Sequence, residues 1–256
     1  MPELSLTQLA LLVAAAFFAG TVDAIAGGGG LVTVPALLAA GLPPQLALGT
    51  NKGQSVFGSG AALLRFARAG LVDGRRARIA FPAGFAGSLG GAALVLLVRP
   101  DVLRPIVLGL LVAVGVFFAL RRGPPRVTSR VRPQLVGVAT AAIALAIGAY
   151  DGFFGPGTGT FLILAFSSVL GDALVRASAE AKVVNFASNL AAVALFASRG
   201  VIVWHVALPM AAAQALGGTL GAHLTVRGGD VLVRRVVLFV VLALVVKLAS
   251  DMVRGA

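Results

Sequence analysis

Apolar residues come in long blocks along this chain, at about 5–26, 30–41, 45–64, 79–98 and 105–120, and again at about 133–150, 159–170, 175–198, 201–225 and 231–250. Most of these blocks are long enough to cross about 30 Å of hydrocarbon at about 1.5 Å per helical residue. They predict an all-α polytopic membrane protein. Two blocks, 30–41 and 159–170, are too short to span. They occupy the same place in each half, and each follows a glycine-rich break, Gly27-Gly28-Gly29-Gly30 in one and Gly155-Pro156-Gly157-Thr158-Gly159 in the other. Backbone freed by a break at membrane depth survives only where protein or a water-filled cavity receives it. Short, interrupted segments at matching places in two halves are the sequence pointer to a transporter's binding site.

The halves repeat one another at polar positions, which chance reproduces less readily than Leu against Val. Gly20, Asp23 and Gly27 match Gly148, Asp151 and Gly155 at an offset of 128. Gly41, Lys52 and Gly70 match Gly171, Lys182 and Gly200 at an offset of 130, so the short segment gained two residues. The expected organisation is a first membrane repeat over 1–121, a basic cytoplasmic linker over 122–132 and a second repeat over 133–256. Each repeat would hold four to five membrane segments, with a Gly-rich break and a short half-helix.

Composition agrees: 59% of residues are hydrophobic and only 12% charged, against roughly 25% charged in soluble domains. The net charge of +12 does not point to nucleic acid, because its arginines cluster between apolar blocks. One cluster is Arg65, Arg68, Arg75, Arg76 and Arg78; the other is Arg121, Arg122, Arg126, Arg130 and Arg132. Cytoplasmic loops of membrane proteins collect basic residues in this way. Five spans per half would make the repeats inverted, and four would make them parallel. The loop near 65–78 holds five Arg where its counterpart holds only Arg199, which favours inversion. No cysteine is present and the two histidines, His205 and His223, form no ligand pair; no metal or cofactor is expected. Met1-Pro2-Glu3 offers no basic n-region, so residues 6–26 read as a retained membrane segment rather than a signal peptide.

Ionisable groups inside a membrane cost about 2.5–3.5 kcal/mol each at a helix centre, which makes them functional candidates. Here they are Asp23, Lys52, Asp151, Glu180 and Lys182. Only three of 21 basic residues are lysines, and two of those, Lys52 and Lys182, are repeat-equivalent. Lysine is a compact point charge, suited to a cargo that must be bound and released; the alternative is that each lysine snorkels to an interface or neutralises a nearby carboxylate. Asn51, Ser55 and Ser59 lie at i, i+4, i+8 beside Lys52, and Lys182, Asn185 and Asn189 lie at i, i+3, i+7. These stripes suit either a polar cavity or interhelical hydrogen bonds. Helix N-termini freed at Gly27, Gly28, Gly29 and Gly30, and at Gly155, Gly157 and Thr158, would cradle an anion. Asp23 and Asp151 could cap those amides, pair with the lysines or carry a coupling proton. Glu180, which stands where the first half has Thr50, is a further candidate for coupling. Gly87-Ser88-Leu89-Gly90-Gly91 and Gly217-Gly218-Thr219-Leu220-Gly221 lie inside long spans and read as helix packing.

Gly20-x-x-Asp23-Ala-Ile-Ala-Gly-Gly-Gly-Gly30, Val34-Pro35-Ala36-Leu37-Leu38 and Ala47-Leu48-Gly49-Thr50-Asn51-Lys52 resemble the sulfite exporter TauE/SafE family of anion permeases. Asp151-Gly152-Phe153-Phe154-Gly155-Pro156-Gly157-Thr158-Gly159 and Glu180-Ala181-Lys182-Val183-Val184-Asn185 are similar to that family's second repeat. The resemblance implies a plasma-membrane permease exporting sulfite or organosulfonates such as sulfoacetate. The expected setting is a bacterial inner membrane, with a small anion and lipid as partners, no nucleic acid, and assembly as a homodimer compatible with the fold. Two rivals stand beside this reading. One is a passive channel or a carrier of another small anion or organic acid. The other is an intramembrane serine hydrolase using Ser55 in Gly53-Gln54-Ser55, with a histidine from another span as base.

Overall fold

A computed structural model describes residues 4–120 and 131–254. The predicted linker falls outside these residues except for Val131 and Arg132. Every predicted apolar block meets a helix. In chain order they are α1 (Leu6–Ala26), α2 (Gly30–Ala39), α3 (Pro44–Arg68), α4 (Gly74–Leu97), α5 (Pro100–Leu120), α6 (Val136–Phe153), α7 (Thr158–Val169), α8 (Leu174–Ser198) and α9 (Trp204–Arg254). The last two blocks are the arms of α9, which is broken at Gly229, where the backbone leaves helical geometry at φ 62 and ψ −164. Among the described residues four helices, α1, α4, α8 and α6 with its leading turn, are long and apolar enough to cross a membrane by strict composition. Large side chains such as Leu6, Leu11, Phe18, Leu94, Val138 and Leu216 face outward. An apolar exterior on long helices makes this a multi-pass membrane protein.

Local chemistry sets the helix ends. Ser5 and Gln8 form a capping box at the start of α1, and Pro44 and Pro100 occupy first-turn positions where no N–H is needed. Asp73 caps α4 by accepting from the N–H of Arg75 at 2.8 Å and of Arg76 at 3.3 Å. These two bonds, with help from the Arg176 and Arg76 charges and against a smaller effect of burial, hold its carboxyl below the usual carboxylate range.

The helices interlock across the two halves. α1 lies along the first arm of α9, and α6 lies along α4. In both places glycine removes the side chain that would separate the backbones. A Cβ on Gly217 or Gly221 would run into the carbonyl oxygen of Phe17 or Thr21; one on Gly87 or Gly91 would run into that of Leu145 or Ala149. These two sets are related by the offsets 128 and 130 read from the sequence. α3 packs on the first arm of α9 and α8 packs on α4, while α3 and α8 cross at the centre. Six helices thus form two tight bundles, α1–α3–α9 and α4–α6–α8, each drawing on both halves of the chain.

Contacts along each pair fix the chain directions. Gly49, Gly58 and Arg65 of α3 meet Val201, Gln214 and His223 in turn, so α3 and α9 start out parallel. Gly84 and Ser88 of α4 meet Val184 and Ser188, so α4 and α8 are parallel. Phe66, Gly60 and Lys52 lie near Ala179, Phe186 and Asn189, so α3 and α8 are antiparallel. Equivalent helices of the two halves therefore run in opposite directions. α2 folds back along α1, with Leu37 packed among Leu12, Val203 and Met210. α7 folds back along α6, with Phe166 among Ala80, Ala144 and Leu174.

A paired bond also accounts for the Glu180 and Thr50 difference. Glu180 Oε1 accepts from the N–H of Asp73 at 2.7 Å, at the connection between α3 and α4. The equivalent connection between α8 and α9 is held by Val203 N–H on Thr50 Oγ1 at 3.1 Å. One end of the molecule uses a carboxylate where the other uses a hydroxyl. The carboxylate end also carries Arg76 paired with Asp172 at 2.8 Å.

Adjacent glycines of α4 give a test of the interlock. Nothing lies within 4 Å of a Cβ on Gly90, whereas one on Gly91 strikes the α6 backbone. Gly91→Ala should lower the melting temperature of the solubilised protein by about 3–10 °C, the range for overpacking by about 1–3 kcal/mol. Gly90→Ala should leave it unchanged or raise it slightly, through helix propensity. Equal effects of the two would remove the packing assignment.

Candidate functional site

Where the helices break, their ends meet. Gly27, at φ 74, takes a backbone conformation open to glycine, and it touches the second break so closely that a Cβ would overlap Gly159 and Thr160. Gly157, at φ 85, makes the matching turn before α7. Side chains from the opposite half hold the arrangement. Thr160 donates to Ala26 O at 2.9 Å and Ser178 to Ala24 O at 2.9 Å, which satisfies carbonyls at the end of α1. Tyr150 donates from its hydroxyl to Pro156 O at 2.6 Å.

The N-termini of α2 and α7 both open on a cavity of about 30 Å³, room for about two waters or an ion of a few heavy atoms. Its wall is polar on every side. It includes Asp23 of α1, Gly28 and Gly30 at α2, Asn51, Lys52 and Ser55 of α3, and Asp151 of α6. Gly155, Thr158 and Gly159 at α7, Asn185 and Asn189 of α8, and Gln214 of α9 complete it.

The charges are paired crosswise between the halves. Lys52 Nζ lies 2.8 Å from Asp151 Oδ1 and donates to Asn189 Oδ1 at 3.0 Å. Lys182 Nζ lies 2.7 Å from Asp23 Oδ2. Both pairs link one bundle to the other. Asp23 also accepts from Gly29 N–H at 3.2 Å, so it caps α2 and pairs with a lysine at once. Asp151 takes a further hydrogen bond from the Ser188 hydroxyl. The two pairs are not equally placed: Lys52 lines the cavity, whereas Lys182 is fully buried behind Asp23, whose side chain is 18% exposed. Burying a charge is tolerable only with such a partner.

Neutral groups are anchored more loosely. Asn51 Oδ1 accepts from Thr33 Oγ1 at 2.6 Å and Gln54 Nε2 at 3.1 Å, which leaves its NH₂ for the cavity. Asn185 Oδ1 and Gln214 Oε1 are buried without a hydrogen-bond partner.

Of the candidate residues, Asp23, Gly28, Gly30, Asn51, Lys52, Asp151, Gly155, Thr158 and Asn185 gather at this cavity. Gly27, Gly29 and Gly157 shape the breaks behind it, and Lys182 stands behind Asp23. Glu180 is turned away, to the backbone of Asp73. Ser55 meets the amide of Gln214 at 3.4 Å, while His223 is engaged with Arg65 at 3.1 Å, so the structure brings no imidazole to that hydroxyl. Gln214 was missed in the sequence. Its signal was a single carboxamide in an apolar block, at a position where the first repeat has Gly84.

Comparison with known proteins places this architecture. The family described as sulfite exporter TauE/SafE matches residues 12–248. A probable membrane transporter protein, ORF9, of Sinorhizobium sp is 40% identical over 253 residues, covering 98% of this chain and 96% of its own length. A probable membrane transporter protein of Haemophilus influenzae is 38% identical over 97% of each chain. The probable membrane transporter protein YfcA of Escherichia coli strain K12 is 39% identical over 95% of this chain and 90% of its own. No solved structure matches. With the match running through both repeats, both breaks and the polar cavity between them, the chain belongs to the sulfite exporter TauE/SafE family of membrane transporters.

Proposed function

We propose that this transporter exports a small sulfur-containing anion across the bacterial inner membrane, and that the anion binds in the cavity between the N-termini of α2 and α7. One observation carries the reading: two half-helix N-termini and the ammonium of Lys52 converge on one small polar space. Each N-terminus brings a partial positive charge to it. Lys52 has two acceptors, Asp151 and Asn189, so a third N–H is available to cargo. Asn51 adds a donor from its NH₂. The cavity's size supports an inorganic oxyanion such as sulfite over a bulkier sulfonate such as sulfoacetate, which would need a wider opening.

Alternating exposure then follows from the packing. The units that rock are the bundles α1–α3–α9 and α4–α6–α8, not the sequence halves, because glycine-to-backbone contacts weld each bundle across the repeat boundary. Opposite helix directions in the two halves support an inverted repeat, so tilting one way mirrors tilting the other. The crossed ion pairs lie between the bundles and hold them in register around the cargo. Lys182 and Asp23 serve that register from behind the wall, and Lys52 and Asp151 serve it at the cargo itself. Glu180, bonded to a connection away from the cavity, acts in closing that end rather than in carrying a coupling proton.

Proteoliposomes provide the direct test. Saturable sulfite flux is expected, and Lys52→Met should weaken apparent affinity about 10–150-fold, the equivalent of a lost charge-assisted hydrogen bond of about 1.5–3 kcal/mol. Undiminished flux in this variant would refute the assignment.

A structural role for the pair is separated from a binding role by a double variant. Lys52→Met alone leaves Asp151 buried and unpaired, and should lower the melting temperature by about 6–20 °C, from a penalty of about 3–5 kcal/mol. Adding Asp151→Asn should restore most of that stability without restoring transport. Recovery of transport together with stability would show that the pair only holds the fold.

A further inference from the structure

We infer that the cargo is a monoanion that carries its own O–H donor, such as hydrogensulfite, and that the transported proton travels on the substrate. The inference rests on the anion-binding reading above and narrows its substrate class.

Charge is counted first. Among the described residues, the charged side chains at the cavity and directly behind it are Asp23 from α1, Lys52 from α3, Asp151 from α6 and Lys182 from α8. They form two ion pairs and sum to zero. α2 and α7 have no charged residue. Of the other titratable groups on the packed elements, Glu180 is bonded to Asp73 N–H, Arg65 and His223 are bonded to each other, and Arg176 lies by Asp73. His205 is absent from the cavity wall. What remains uncompensated is the pair of half-helix N-termini, each equivalent to about half a positive charge. Their sum of about +1 complements a monoanion and leaves a dianion with one charge unmatched beside the carboxylates of Asp23 and Asp151.

Hydrogen bonding points the same way. Asn185 is 5% exposed and Gln214 2% exposed, both line the cavity, and the side-chain oxygen of each has no partner. A halide or a fully deprotonated oxyanion only accepts hydrogen bonds and leaves both oxygens unsatisfied, which is costly in a buried site. An oxyanion bearing a hydroxyl accepts from the N-termini, Lys52 and Asn51 on one side and donates to a carboxamide oxygen on the other. A site built to bond a hydroxyl discriminates strongly against an analogue that lacks one.

Sulfite gains its first proton near neutrality, so the charge of the probe can be changed without changing the probe. The melting temperature of the purified full chain would be followed against sulfite, sulfate and methanesulfonate across a pH series spanning that step. Sulfate stays a dianion and methanesulfonate a monoanion without O–H, which separates titration of the ligand from titration of the protein. The apparent Kd for total sulfite should rise about tenfold per pH unit once the dianion predominates. Methanesulfonate should bind at least about tenfold more weakly, with no such trend, and sulfate should give no shift. Gln214→Leu and Asn185→Leu, made separately in case one fails to fold, should each narrow the advantage of sulfite over methanesulfonate. Sulfate binding as tightly as sulfite, or a sulfite Kd flat with pH, would overturn this inference while leaving an anion site in place. Absence of any shift with all three anions would overturn the anion-binding reading itself.

Discussion

A helix interrupted inside hydrocarbon leaves amide and carbonyl groups that lipid cannot satisfy, and most of this structure answers to that constraint twice over. The carbonyls at the end of α1 are taken up by Thr160 and Ser178 from the other half. On the amide side, Asp23 caps Gly29. A carboxylate placed there must itself be neutralised, and Lys182 arrives from α8 to do so. Asp151, near the end of α6, accepts from the Ser188 hydroxyl rather than a break amide and draws Lys52 from α3. Each half therefore supplies the cation for the carboxylate of the other, and neither half is complete alone. The amides of Leu31 and Val32 in α2 and of Thr158 in α7 find nearby carbonyls, and the positive ends of the two short helices meet in one place, the cavity.

The same crossing determines which parts can move. Glycines at Gly87, Gly91, Gly217 and Gly221 bring α1 onto α9 and α6 onto α4 with no intervening side chain. Interiors packed this closely resist deformation, so each bundle is a rigid unit and the polar contacts lie at the boundary between the two. Between them run α3 and α8, the two most polar helices, with Lys52, Ser59 and Asn189 at their crossing. Ionic and amide contacts can be exchanged with cargo or water at modest cost, whereas a glycine-to-carbonyl contact has no substitute.

Much of this was legible in the sequence because the bilayer imposes a narrow menu: apolar block length gave the helices, and polar matches at offsets of 128 and then 130 pointed to the duplication. The repeat-equivalent lysines and aspartates stood out for the same reason, since each is too costly to keep without a partner, and three of the four lie on the cavity wall. Three things were not legible. That each lysine is paired with the aspartate of the opposite half depends on helix directions, which spacing along the chain does not encode. Glu180 looked like an extra proton carrier because it departs from the repeat, yet it makes the bond that Thr50 makes at the other end. What spacing could not show there was the partner, a backbone amide at the connection between α3 and α4. Gln214 escaped notice because a lone carboxamide in an apolar block signals nothing until α9 is laid against α3.

Gln214 also explains why a nearly symmetric scaffold has a one-sided site. Its equivalent is Gly84, where α4 packs directly on Val184. On the other side the Gln214 side chain lies against Gly58 and Ser55, and the cavity forms around it next to Lys52. Lys182, at the equivalent place, is sealed off. Duplication thus supplied two half-helix N-termini and two ion pairs in pseudo-symmetric positions, and single substitutions off the axis assigned them different work. One pair, Lys182 with Asp23, has its lysine sealed between the bundles. The other, Lys52 with Asp151, lies on the cavity wall beside the two helix N-termini and the unpartnered carboxamides of Asn185 and Gln214, and a ligand there would have to answer their neutral charge sum, their dipoles and their free oxygens at once.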